Sequence, residues 1–503
     1  MISIRGLSFS FFNSDRKALD GISLEIPEGQ FLAITGPSGC GKSTLALAMG
    51  GYIPHVFEGR MEGSIEVDGK RTTDVELSDI APLVAIVQQD PESQLCTLNV
   101  RDEVSFGPEN LLLSADEVNR RVDESLALVG ASYLKGREIH ELSGGEKQRV
   151  AIASLLAMHP RALILDEPTS NLDPSSTATV FSAIERLKEN TGMTIIVIEH
   201  KLDRLMGLAD RLVVMEAGRI VMDGEPREVV GRYREQLNSI GVRLPGLDCP
   251  AFAADGGTTK KTPVVEVKGL RASYDGREAL HGIDMQVNNS EIVGIIGPNG
   301  SGKTTFLNVL MGLHKFDSGS VSVTGLDVGK SRTSDIARRS GFIFQNPNHQ
   351  IFERTVYAEA AFALRNFGTG EDEAAHLVDP VLEKYGLAKY RDKHPLGISF
   401  GEKRRLNLCS VLPHDPTLII MDEPFVGQDY ANVTRMCREL RRLRDGGKAL
   451  VLVSHDMDMV YRYCDRIVLL KDGIVLVDDK PEAAMRRIEE SGMKDYVPEG
   501  CRK

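Results

Sequence analysis

Two stretches of this chain have the residue types and the spacing of a phosphate cradle. Gly36-Pro37-Ser38-Gly39-Cys40-Gly41-Lys42-Ser43 and Gly297-Pro298-Asn299-Gly300-Ser301-Gly302-Lys303-Thr304 both fit G-x-x-x-x-G-K-[ST]. The glycines let consecutive backbone N–H groups close around phosphate oxygens. The lysine supplies a point charge to the β- and γ-phosphates, and the hydroxyl after it helps to hold Mg²⁺. Thr44 and Thr305 follow directly and belong to the same nucleotide-binding sets. Each loop follows an apolar run, Phe31 to Thr35 or Ile292 to Ile296, and leads into helix-compatible sequence. That is the strand–loop–helix context the motif requires.

Two acid pairs supply further chemistry. Ala162-Leu163-Ile164-Leu165-Asp166-Glu167 and Leu418-Ile419-Ile420-Met421-Asp422-Glu423 are apolar strands ending in two acids. At the edge of a parallel sheet such an end faces the phosphate loop. Asp166 and Asp422 are positioned to hold Mg²⁺, with Ser43 and Thr304. Glu167 and Glu423 can polarise a water for in-line attack on a γ-phosphate. Leu142-Ser143-Gly144-Gly145-Glu146, 23 residues before Asp166, reads as a helix start with exposed N–H groups and a serine hydroxyl, a second anion site. Cys40 lies inside the first loop, next to Lys42, and that setting favours a thiolate that ATP would shield.

These residues come twice. Gln89, Ser143 and Asp166-Glu167 recur 256 residues later as Gln345, Ser399 and Asp422-Glu423, and His200 recurs as His455. The lysines are 261 apart, so the first copy carries five extra residues, around Tyr52-Ile53-Pro54-His55-Val56-Phe57. The period is far longer than the ~20–50 residues of solenoid arrays. Within each copy, short β-branched runs such as Thr194 to Ile198 and Ala449 to Val453 alternate with helical patterns. Continuous apolar strands of this kind imply a mostly parallel sheet covered on both faces. The chain is thus read as α/β, two tandem P-loop domains: 1–240, a linker over 241–263, and 264–503. The linker is marked by Pro245-Gly246, Pro250 and Asp255-Gly256-Gly257.

Composition excludes several classes. The net charge of −12 opposes a nucleic-acid surface as the main business, so no nucleic-acid partner is expected. No run of 18 or more apolar residues exists, so nothing is expected to span a membrane, and the first residues lack a secretory core. The seven cysteines are scattered, without metal-ribbon spacing, as reduced cytosolic thiols would be.

The order and spacing of loop, glutamine, Ser143 segment, acid pair and histidine resemble the ATP-binding-cassette (ABC) ATPases over almost the whole chain. The resemblance implies an antiparallel β subdomain and a helical signature subdomain beside each core sheet. It implies that the two cassettes pair head to tail within one chain, each ATP lying between one copy's phosphate loop and the other's signature helix. Phe11 and Tyr274 match the aromatic that stacks on adenine, with a core position as the lesser reading of each. Gln89 and Gln345 match the glutamine that senses Mg²⁺ and links to a membrane partner. Glu167 and Glu423 match the catalytic base, and His200 and His455 the switch histidine at the γ-phosphate. Ser143, Gly144 and Gly145 match the signature; Ser399 and Gly401 survive in the second copy, but Phe400 stands where the first has Gly144. Val426-Gly427-Gln428-Asp429 also replaces Ser170-Asn171-Leu172-Asp173. On that reading, the site built on Lys42 is weakened and the site built on Lys303 carries most turnover.

The segments after the glutamines narrow the expectation. Gln89-Asp90-Pro91-Glu92-Ser93-Gln94-Leu95 and Gln345-Asn346-Pro347-Asn348-His349-Gln350-Ile351 share Q-[DN]-P-x-x-Q-[LI]. This, with Val104 to Asn110 and Ala361 to Asn366, resembles the energy-coupling-factor importers, which take up vitamins or transition-metal ions. The implied partners are a transmembrane coupling subunit and a small substrate-binding membrane subunit, with this chain peripheral on the cytoplasmic face of the cell membrane. The same residues could simply cap a helix after the glutamine loop. The alternatives are a sugar-type importer ATPase, against which the intact second loop speaks, and a tandem ABC ATPase acting on ribosomes, whose basic interdomain helix or cysteine-rich region is not evident.

Overall fold

The computed structural model describes residues 1–12, 16–245, 261–274 and 276–502. The chain divides into two compact units between residues 247 and 248. Most of the expected linker, residues 246–260, lies outside the described residues, including Gly246, Pro250 and the Asp255-Gly256-Gly257 stretch. Val242 and Leu244, inside the expected linker, are buried in the core of the first unit.

Both units repeat one topology. In the first, the central sheet runs in the spatial order Arg219–Gly224, Arg211–Glu216, Phe31–Thr35, Thr194–Ile198, Ala162–Asp166, Val84–Val87. All neighbours are parallel except the first pair, a hairpin. The second unit has the same order: Ile474–Asp479, Arg466–Lys471, Glu291–Ile296, Ala449–Val453, Leu418–Asp422, Ser340–Ile343. Each unit adds a four-stranded antiparallel sheet, led in the first by Leu19–Ile26 paired with Ile2–Phe11 and in the second by Arg277–Asn288 paired with Pro263–Tyr274.

The apolar strands follow from double-sided burial. Alternate residues point to opposite faces of a sheet, and the first sheet sorts its residues accordingly. Phe31, Ala33, Leu163, Leu165, Ile195 and Val197 join one core, whereas Leu32, Ile34, Ala162, Ile164, Ile196 and Ile198 join another. A strand buried on both sides has no polar period, which is why these runs read as continuous apolar stretches. Ile53, in the extra segment of the first copy, is buried in the second of these cores. Helices Val100–Asn110, Ala115–Leu128 and Gly144–Leu156 form a helical part of the first unit. Their counterparts Val356–Asn366, Glu371–Lys384 and Phe400–Val411 surround a core of their own, with Val356, Ala360, Leu382 and Leu406.

Candidate nucleotide site

Each phosphate loop joins a central strand to a helix that begins at its lysine, Lys42–Met49 or Lys303–Leu310. Glycine is required at the loop's entry. Gly36 has φ 148°, and a Cβ there would stand 2.1 Å from the Met215 carbonyl oxygen; on Gly297 it would stand 1.9 Å from that of Leu470. Lys42 Nζ donates to the carbonyls of Gly36 and Pro37 at 2.9 and 3.1 Å. Lys303 Nζ does the same with Gly297 and Pro298 at 2.8 and 2.7 Å. Each ammonium is buried at the centre of its own loop, where phosphate oxygens could replace the carbonyls.

Cys40 corrects an expectation. Its thiol is buried, and burial pushes it up by more than the charge of Lys42 pulls it down. The loop therefore keeps Cys40 as a thiol. Its N–H-rich surroundings do not outweigh the lost solvation of a thiolate.

The acid pairs end their strands as expected. Glu167 and Glu423 have φ 46° and 45°, a left-handed backbone that is uncommon for a residue with a Cβ. This sharp turn directs both carboxylates at the histidines. His200 Nε2 lies 3.0 Å from Glu167 Oε1, and His455 Nε2 lies 3.2 Å from Glu423 Oε1. In the first unit Gln89 Nε2 also donates to Glu167 Oε2 at 3.1 Å and to Ser170 Oγ at 3.4 Å. Burial pushes Glu167 up, but the hydrogen bond and charge of His200, with Lys42, outweigh it and hold the carboxyl below its usual range. Burial pushes Asp166 up to about 6, against a hydrogen bond from Ser43. Asp422 is pushed up in the same way, with Lys303 and Arg404 opposing.

Mg²⁺ fits this donor set. Asp166 Oδ1 is buried and accepts no hydrogen bond, and the Ser43 hydroxyl stands against the same carboxylate. A hard cation takes such oxygens and keeps further ligands from water and phosphate. Among the described residues no three His, Cys, Asp or Glu side chains gather as a metal cage. Gln89 and Gln345 lie at the exposed rim.

Ser143 and Ser399 do begin helices, but their hydroxyls are engaged in their own caps. Each donates to the carboxylate three residues on, Glu146 or Glu402, at 2.8 Å, within a capping box. The same boxes take up the backbone N–H groups of Ser143 and Glu146 and of Ser399 and Glu402. Gly144 and Gly145 open the first helix; Gly401 and Phe400 open the second, with Phe400 40% exposed. Of the two candidate adenine aromatics, Tyr274 is 56% exposed beside His314. Phe11 packs edge-on against Phe9 and is partly buried, whereas Phe12, which the sequence reading passed over, is 66% exposed.

The glutamine segments brace themselves. Asp90 and Asn346 each accept the N–H two residues on, at 3.0 Å. Gln94 bonds back to the strand, accepting from Gln88 N–H at 3.2 Å and donating to the Ile86 carbonyl at 3.0 Å. Gln350 accepts from Phe344 N–H at 3.4 Å and donates to Ser410 Oγ at 3.0 Å. Glu103 and Glu359 are also buried and went unnoticed in the sequence. Each carboxylate accepts two successive backbone N–H groups, of Cys96 and Thr97 (3.0 and 2.8 Å) or of Phe352 and Glu353 (2.8 and 2.9 Å). Their 256-residue spacing was the available signal.

The family model described as ABC transporter matches residues 19–170 and again 280–426. The chain belongs to the ABC transporter family. Its two units are ABC ATPase domains, and proteins of full length resemble it throughout. A Methanosarcina mazei protein named provisionally as an ABC transporter ATP-binding protein is 34% identical, over 99% of this chain and 92% of its own. A Bacillus subtilis protein, named provisionally as the HMP/thiamine import ATP-binding protein YkoD, is 34% identical over 96% of this chain and 92% of its own. The archaeal ribosome recycling factor aABCE1, solved in complex with the ribosomal stalk protein aP1, matches 97% of this ABC protein and 92% of its own chain with a TM-score of 0.63. At 22% identity that likeness is one of fold alone.

Proposed function

We propose that this chain is the ATP-hydrolysing subunit of an energy-coupling-factor type importer, driving uptake of a vitamin or metal ion through separate membrane subunits. The observation that carries this reading is the Q-[DN]-P-x-x-Q-[LI] segment, present in both cassettes after Gln89 and Gln345. The provisional naming of the 34% identical B. subtilis relative for HMP/thiamine import supports it. The bracing role of Asp90, Asn346, Gln94 and Gln350 also accounts for part of that segment, so the relative's name matters as an independent support. Among the described residues no helix is long and apolar enough to cross a membrane, so a spanning coupling subunit and a small substrate-binding subunit are the proposed partners. The chain then works peripherally at the cytoplasmic face, its two cassettes paired within one chain.

Within each cassette, Lys42 or Lys303 binds the β- and γ-phosphates. Mg²⁺, held by Asp166 and Ser43 or by Asp422 and Thr304, would neutralise charge on those phosphates. Glu167 or Glu423 orients the attacking water and takes up its proton, while His200 or His455 fixes the carboxylate and contacts the γ-phosphate. The test is purification of the tagged chain from its native cell in mild detergent. Copurification of a multispanning protein with a small membrane protein is expected. Sedimentation with ribosomes and no membrane partner would overturn the importer reading, and a copurifying pair of sugar-permease-type subunits would replace it.

A further inference from the structure

The helices that begin at Ser143 and Ser399 carry different residues at several buried positions, and at one of them a neutral side chain gives way to a cation. Gln148 in the first is replaced by Arg404 in the second, 256 residues on. Both are 1% exposed. Gln148 Nε2 makes no hydrogen bond. The Arg404 guanidinium, by contrast, reaches three backbone carbonyls on two other elements. Nη1 donates to Phe344 at 2.8 Å, and Nη2 donates to Gln345 and, at 3.3 Å, to Glu423. Phe344 and Gln345 begin the glutamine loop, and Glu423 follows Asp422 at the end of its strand. The same guanidinium lies 5.5 Å from the ring centre of Phe400, one helical turn earlier. Phe400 and Arg404, two of the second signature helix's departures from the first, therefore lie against each other.

A buried cation is costly unless charges and hydrogen bonds surround it. Here three carbonyls do so, with Asp422 and Glu423 close enough to act on it by charge; burial lowers the guanidinium to about 10, and it remains protonated at neutral pH. Arginine can bridge these acceptors because its planar fork presents several N–H groups at fixed angles, which glutamine's single amide cannot.

We infer that Arg404 is a positioning residue, a clamp that fixes the backbone of the second cassette's glutamine loop to its signature helix and to the Glu423 turn. The first cassette has no arginine at this place; its loop meets the signature helix through the Glu92–Lys147 ion pair and meets the Glu167 carboxylate through Gln89. Only the kinetic arm of the test depends on ATP hydrolysis at Lys303; the exchange arm does not depend on the transport reading.

The test uses the full chain with Arg404→Gln, which installs the residue the first helix already tolerates. Amide hydrogen exchange is followed by mass spectrometry. Exchange over residues 344–350 should rise roughly tenfold, the order expected for losing hydrogen bonds to a charged group. The core strand Leu418–Asp422 should be unchanged. Arg404→Lys, a point charge without the fork, should restore part of the protection. The reciprocal Gln148→Arg should slow exchange over residues 88–94. In ATPase assays Arg404→Gln should lower kcat while KM for ATP stays within about twofold. Unchanged exchange at 344–350 in a folded variant overturns the clamp. A uniform rise across the second unit overturns it too, because that is the signature of a packing role.

Discussion

His455 engages both oxygens of Glu423: its ring Nε2 lies 3.2 Å from Oε1, and its own backbone N–H donates to Oε2 at 3.0 Å. The first cassette builds the same couple differently. His200 Nε2 meets Glu167 Oε1 at 3.0 Å, but Oε2 accepts from Gln89, and the His200 N–H donates at 3.2 Å to buried Glu199. Glu199 also accepts from Thr169 Oγ1 at 2.6 Å; the second cassette has Ser454 and Phe425 at these positions. One glutamate is therefore tied to its glutamine loop by a side chain, and the other to its histidine's backbone.

Both glutamates should be needed for hydrolysis, but unequally. Removing a general base lowers the rate roughly 10²–10⁴-fold at its own site. Under the proposed pairing, Phe400 weakens the site built on Lys42. Glu423→Gln should then abolish most steady-state ATPase activity of the assembled transporter, and Glu167→Gln should leave a larger remainder. Equal losses would mean that Phe400 is harmless or that the sites fire only together. Phe400→Gly separates these, since an unchanged rate points to the harmless reading.

Cys40 should resist thiol reagents. It is buried and held as a thiol, whereas Cys96 is exposed. Thiolate is the nucleophile; burial and Glu103 also raise the Cys96 thiol, so access decides the order. At pH 7.5 a maleimide should label Cys96 first, which peptide mapping would resolve, and Cys40→Ser should bind ATP normally, since Ser301 fills that place in the second loop. Labelling of Cys40 before Cys96 would mean that the loop opens readily.

Much of this architecture was legible because it is written in backbone requirements. Gly36 and Gly297 answer to carbonyls at 2.1 and 1.9 Å, and the uninterrupted apolar strands answer to cores on both faces. The strand–loop–helix context and the acid-pair strand ends followed directly. What stayed hidden depends on contacts distant in sequence. Glu103, Glu359 and Arg404 look like ordinary charges in their helical runs, and only the fold brings backbone groups to them. Cys40 misled because neighbouring charge is visible in a sequence, whereas burial, which prevails there, is not.

The signature glycines should respond differently to a methyl group. A Cβ on Gly145 would lie 2.6 Å from Ser176 Cβ, inside any tolerable contact, whereas one on Gly401 would meet Asn432 Nδ2 at 3.4 Å. Alanine favours a helix over glycine by about 1 kcal/mol, and overpacking costs about 1–3 kcal/mol. Gly145→Ala should thus destabilise the first unit, while Gly401→Ala should be neutral or slightly stabilising. Thermal unfolding of the two variants compares them; equal shifts would show that Ser176 gives way freely.

One histidine outside the nucleotide sites should make the second unit sensitive to mild acid. His414 is largely enclosed and packs edge-on against Phe367 with ring centres 5.3 Å apart. Burial pushes its pKa below the ordinary 6.5 and Lys448 adds to this, against the Ser340 backbone and Asp415. Unfolded chains therefore bind a proton here that the folded unit refuses. The sign follows from linkage: stability is full above pH 6.5 and falls as the pH drops from there through the lowered folded value. His414→Phe keeps a planar ring and removes the titration. The variant should lose less thermal stability than the parent chain between pH 7 and pH 5, the difference appearing only below pH 6.5. Parallel losses in both proteins would mean that water reaches the ring in the folded state and that its burial does not govern its protonation.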